Sequence, residues 1–171
     1  MTTENEQNNR NWKNYIPLLM VIALSSLAAA ALSGEEGAKF LNLLTWMHAF
    51  MGMFLLFFAL FKFINLPGFA DGFSMYDLLA SRWRGYGFIY PFLELGLSLS
   101  YLSDFPKTGT YIATILIMSF GALGVLNALR KKLRINCACL GTVLNVPLST
   151  VAVVENLGMV VMAAVMLFFV Q

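Results

Sequence analysis

Residues 41–61 read Leu-Asn-Leu-Leu-Thr-Trp-Met-His-Ala-Phe-Met-Gly-Met-Phe-Leu-Leu-Phe-Phe-Ala-Leu-Phe, 21 residues without one charge. A helix of about 20 apolar residues crosses a hydrocarbon core about 30 Å thick. A barrel strand would alternate apolar and polar positions, whereas Phe54-Leu55-Leu56-Phe57-Phe58 is an unbroken apolar run. Backbone groups in lipid must find their partners within the protein, so a helix is the remaining solution. Four further stretches read the same way: Tyr15 to Ser33, Tyr86 to Leu102, Gly109 to Leu129 and Pro147 to Val170. The expectation is an all-α polytopic transmembrane helix bundle of five spans, in which 86–102 is the weakest because it is short and carries Pro91 and Glu94.

Composition agrees. Of 171 residues 59% are hydrophobic and only 12% charged, against a usual charged share of about 25%. The mean hydropathy is +0.73. A net charge of +2 argues against a basic nucleic-acid binder, so no nucleic acid is expected as a partner. The aromatic and apolar content excludes a disordered chain, and two cysteines cannot build a disulfide scaffold. The first apolar stretch follows Arg10 and Lys13 and ends in small residues, as a signal peptide does, but it is too long for one. It is read as a helix, with residues 1–14 as a tail before it.

Orientation follows from the basic residues, which favour the cytoplasmic side. Arg10 and Lys13 in the tail, Lys62, Arg82 and Arg84 in the second connection, and Arg130, Lys131, Lys132 and Arg134 in the fourth make nine of the 11; Lys39 and Lys107 face the other way. This predicts an integral membrane protein with a cytoplasmic N-terminus and cysteine connection and its C-terminus outside. In the connection from Lys62 to Gly85, Phe69, Phe73, Tyr76, Ala80 and Trp83 recur at helical spacing, and Ser74 with Asp77 forms a capping-box pattern. A short helix is expected there, lying at the headgroups with Arg82 and Arg84 near lipid phosphate, or capping the bundle.

Few residues in the spans can carry chemistry. Glu94 and Glu155 are the carboxylates inside them, each the ninth residue of a segment entering from the same side, about 12 Å deep at 1.5 Å per residue. As neighbours they can share one proton and act as a proton relay; the structural alternative is a hydrogen bond to an adjacent helix, Glu155 with help from Asn156. His48 between Met47 and Met51, and the stripe Met159, Met162 and Met166 on the face begun by Glu155, suit Cu(I) by ligand type, but such a stripe in a membrane helix more often serves as packing.

Cys137-Ala138-Cys139 is the sharpest signal. Two thiols at this spacing close a strained, easily reduced disulfide or clamp one soft metal ion, and Lys132 and Arg134 nearby favour the thiolate. On the cytoplasmic side a permanent disulfide is not expected. Two ligands do not complete a tetrahedral zinc site.

The strings Phe61-Lys-Phe-Ile-Asn-Leu-Pro-Gly-Phe-Ala-Asp71, Tyr76-Asp-Leu-Leu-Ala80, Tyr90-Pro-Phe-Leu-Glu94-Leu, Cys137-Ala-Cys-Leu-Gly141, Val146-Pro-Leu-Ser149 and Glu155-Asn156 resemble the MauE branch of the DoxX-like membrane proteins. The resemblance implies a four-helix membrane domain within residues 41–171, linked to redox or thiol chemistry, with the helix at 15–33 as an addition. MauE itself is associated with maturation of methylamine dehydrogenase, whose small subunit is rich in disulfides. Relatives with the Cys-Ala-Cys-Leu-Gly string can carry a heavy-metal-associated domain ahead of the bundle; residues 1–14 hold no cysteine for one, and no Cys-x-x-Cys pair is present.

Three functions compete. In the first, Cys137 and Cys139 are the redox pair of a membrane thiol-disulfide oxidoreductase component serving a thioredoxin-like partner, with Glu94 and Glu155 relaying protons. In the second the thiolates pass Cu(I) or Hg(II) to or from a metal-binding protein, with Met159, Met162 and Met166 along the route. In the third the bundle is a non-catalytic scaffold. Gly121, Gly124 and Ala128 allow close helix contacts within one chain or in a homo-oligomer.

Overall fold

The computed structural model describes residues 2–33, 43–103, 107–130 and 148–170, and the regular structure there is entirely helical. Among the described residues there are six helices: α1 (Thr2–Ser33), α2 (Leu43–Ile64), α3 (Leu66–Ser74), α4 (Gly85–Leu102), α5 (Lys107–Arg130) and α6 (Leu148–Val170). The most extensive contacts join α2 to α4, α5 to α6 and α1 to α2; α4 also meets α5, and α3 lies on α4.

Helical period decides which residues face inward. On α2, His48, Met51, Leu55, Phe58 and Lys62 fall three or four apart and are all buried. On α1, Leu18, Val21, Ser25 and Ala29 form the corresponding buried seam. The opposite faces are apolar and exposed: Leu27 and Leu116 are two-thirds exposed, Phe168 more so. An apolar exterior around a partly polar interior suits a lipid bilayer.

Among the described residues three helices are long and apolar enough to cross a membrane, over Ile16–Ser33, Leu43–Ile64 and Thr108–Asn127, and Glu155–Phe169 is a shorter apolar stretch. This differs from the five expected spans. Helix α4 covers the third of them but is too polar by composition, because it turns Tyr90, Glu94, Ser98 and Tyr101 into the protein interior. Pro91 sits within α4 without ending it; the donor it lacks would have served Gly87, and there the missing side chain lets α3 approach, since a Cβ on Gly87 would lie 3.0 Å from the Cα of Ala70. Helix α1 also begins at Thr2, well before the expected Tyr15. Apolarity marks where a helix can cross lipid, whereas backbone hydrogen bonding continues past that limit.

The segment from 62 to 85 departs from expectation in its details. Helix α3 starts at Leu66, where the Asn65 side chain accepts from the Gly68 N–H at 3.1 Å and Pro67 occupies the first turn. Ser74 ends this helix instead of starting one, donating to the Asp71 carbonyl at 2.7 Å. Asp77 organises the following turn, its Oδ1 accepting from the N–H groups of Leu79 and Ala80 at 2.9 Å each. Phe69, Phe73, Tyr76 and Ala80 are buried in the core while Trp83 is exposed, so one face of the segment packs against the bundle. Burial pushes the Asp77 carboxyl up, against the lowering effect of the N–H donors from Ala80 and Leu79.

Candidate functional site: a buried lysine between two acids

Lys62 is the largest correction to the sequence reading, which counted it as a charge in a connection. It lies in the last turn of α2, 1% exposed, four residues after the fully buried Phe58. Glu94 of α4 and Glu155 of α6 are 0% and 1% exposed. The Lys62 ammonium donates to Oε1 of Glu94 and, at 3.0 Å, to Oε1 of Glu155. Oε2 of each acid is buried and accepts no hydrogen bond among the described residues. Three ring faces complete the enclosure, with Lys62 Nζ 5.8 Å from the centroid of Phe58, 5.4 Å from Phe69 and 5.1 Å from Tyr90.

The two acids expected at one depth thus converge on one cation, which places α2, α4 and α6 around a common point. An ammonium without water is held by charge-assisted hydrogen bonds and by the negative faces of aromatic rings, and both are supplied here. Sequence reasoning missed Lys62 and its rings. The signal was present in the spacing, since Leu55, Phe58 and Lys62 continue the buried stripe of α2.

A second polar cluster occupies the start of α2, 14 residues or about 21 Å along the helix at 1.5 Å per residue. His48 Nδ1 lies 2.7 Å from the Leu44 carbonyl, which can only accept, so Nδ1 carries a proton. Nε2 pairs with the Tyr111 hydroxyl. Tyr101 donates to Thr114 at 3.0 Å, and Thr114 to the Thr110 carbonyl at 2.8 Å. With both ring nitrogens engaged, His48 has a structural role, and Met47 and Met51 beside it are core residues.

Met159 and Met166 are likewise buried in the core, with Met162 packed against it. Cys137 and Cys139 lie outside the described residues. Among the described residues no three His, Cys, Asp or Glu side chains group as metal ligands. Gly121 and Gly124 serve contacts within the chain: a Cβ on Gly121 would lie 3.0 Å from Asn156 Oδ1, and one on Gly124 3.0 Å from the Asp77 Cα. The side chain of Ala128 lies outside the described residues.

Apolar helices with an apolar exterior and an ion-paired lysine inside define an integral membrane protein of the helix-bundle class. The chain belongs to the methylamine utilisation protein MauE family, whose sequence model matches residues 41–169. Helix α1 precedes the matched region. No curated protein and no solved structure gives a significant match.

Proposed function

We propose that the chain is a membrane thiol/disulfide helper in the maturation of a partner protein, with Cys137 and Cys139 as the redox pair and Glu94 and Glu155 as a proton relay. The observation that carries this reading is the convergence of both acids on Lys62. Ionisable groups are costly in a membrane interior, and a bundle that holds three together does so for more than packing. The family supplies the direction, and methylamine utilisation is the role its name carries. In the reaction, the Cys137 and Cys139 thiols lose two electrons and two protons and form one disulfide, while a partner disulfide gains both and becomes a dithiol. Bond making balances bond breaking, and the relay lends and recovers protons as sulfur changes partner.

The architecture that fits this role is a DoxX-like core of α2, α4, α5 and α6 with α1 as an addition, five crossings in all. With Lys62 removed from the count, eight basic residues still favour one side against two, which supports a cytoplasmic N-terminus and cysteine connection. Thiol trapping with mass spectrometry in intact cells tests the reading. Reduced and disulfide forms of Cys137–Cys139 are expected to interconvert with oxidant, and Cys139→Ser to accumulate a mixed disulfide with the partner. A pair reduced under every condition refutes it.

The spacing of the two thiols also favours soft-metal transfer of Cu(I) or Hg(II) as a second reading. In this reading Met159, Met162 and Met166 line the route beyond the thiolates, Met159 and Met166 within the core and Met162 against it. Equal metal content in the purified chain and in its Cys137→Ser, Cys139→Ser variant excludes that reading.

A further inference from the structure

We infer that Glu94 and Glu155 hold one proton between them around the permanent cation of Lys62, so that the triad is a one-proton binding site in the bundle interior. This rests on the relay role proposed above for the two acids and gives it a definite occupancy; the cysteines do not enter it. Three observations lead there. All three side chains are at most 1% exposed, so water does not screen them. Lys62 contacts one oxygen of each acid and leaves Oε2 of both buried and without a hydrogen bond. Both acids also pair with the same Lys62 Nζ, so the two carboxyls meet at one ammonium.

Charge counting then decides. With both acids ionised the site carries one uncompensated negative charge in a low-dielectric interior; with one proton bound it is neutral, and an acceptor oxygen without a partner becomes a donor. Among the described residues the surrounding elements supply no second cation at the site: α3 contributes the Phe69 ring, α4 the Tyr90 ring, and α5 and α6 the uncharged Met118 and Asn156. Tyr86, a neutral phenol, is within electrostatic reach of both Glu94 and the further acid Asp77. Because the ammonium stays in place, the proton is the component that can leave and return.

Infrared spectroscopy of the full chain in lipid nanodiscs tests this, with Asp77→Asn as background to remove that carboxyl. The expected spectrum at neutral pH has a protonated-carboxyl band of one group's intensity that shifts in deuterium oxide. The band should vanish in Glu94→Gln and equally in Glu155→Gln, since either leaves one carboxylate balanced by Lys62. It should persist in Cys137→Ser, Cys139→Ser. Absence of the band, or its survival in either glutamine variant, overturns the inference. Carbon-13 NMR of the glutamate-labelled, unsubstituted chain gives the same answer without mutation: one proton spread over two carboxyl signals supports it, and two ionised carboxylates overturn it. Thiol trapping is read separately, so loss of the redox reading and loss of the proton site are told apart.

Discussion

Replacing Lys62 by methionine keeps the length of the side chain and removes its charge from between two buried acids. With one acid protonated, the charge attraction lost is that of one ammonium and one carboxylate, about 4 kcal/mol at 4 Å and an effective dielectric of about 20. Breaking a buried ion pair from one side costs about 3–5 kcal/mol, which agrees, and the three ring faces at 5.1 to 5.8 Å add about 1 kcal/mol. Lys62→Met is therefore expected to lose about 5 kcal/mol, roughly 10³- to 10⁴-fold in the folding equilibrium. The triple variant Lys62→Met, Glu94→Gln, Glu155→Gln leaves no buried charge and is expected to recover most of that loss, because a neutral, well-packed replacement avoids the desolvation cost. SDS titration from nanodiscs, with thermal midpoints alongside, measures both. A single variant within about 1 kcal/mol of the unaltered chain, or a triple variant no better than the single one, would show that Lys62 does not neutralise the acids.

Five other substitutions report on separate parts of the fold. Gly124→Ala drives a Cβ to 3.0 Å from the Asp77 Cα and 3.2 Å from the Tyr76 carbonyl, both backbone atoms; a loss of about 1–3 kcal/mol is expected in the same titration. Gly158→Ala meets nothing within 4 Å and should be neutral or gain up to about 1 kcal/mol. His48→Phe removes the side-chain partner of the Leu44 carbonyl and leaves the Tyr111 hydroxyl without its ring partner, costing about 1–3 kcal/mol, with Tyr111→Phe costing less; equal stability of all three forms would deny the pairing. Asp77 has its carboxyl raised from 3.8 by burial, so the fold favours the protonated form: its contribution is complete below the unfolded value and is lost as pH rises through the folded one. Asp77→Asn should flatten the thermal midpoint against pH from about 4 upward and raise it at neutral pH; an unchanged profile would refute that.

The helices were legible because lipid imposes one rule on every spanning residue, and the charge-free run from Leu41 to Phe61 obeys it without exception. Helix α4 was harder for the opposite reason. Its Tyr90, Glu94, Ser98 and Tyr101 face protein, and a helix sheltered by its neighbours is released from the rule that hydropathy tests. The connection after α2 misled for a local reason. Ser74 and Asp77 have the spacing of a capping box, but Asn65 followed by Leu66-Pro67 starts the helix first, and Asp77 spends its oxygen on the turn at Leu79 and Ala80.

Lys62 shows where a sequence reading of charge runs out. A lysine at the cytoplasmic end of an apolar run is ordinarily a topology marker, its ammonium reaching up to the interface. Period and composition point in opposite directions here: the stripe of Leu55 and Phe58 sends Lys62 inward, while the end of the apolar run sends it out. The deciding information sits on two other helices, because an inward lysine is tolerable only if acids meet it. Glu94 and Glu155 are 32 and 93 residues further along the chain, beyond the reach of any local pattern. The same pairing explains why two acids persist in the interior at all. Each acid needs the lysine, the lysine needs at least one acid, and the second acid leaves the set one proton short of neutrality, which is the property a proton-handling site requires.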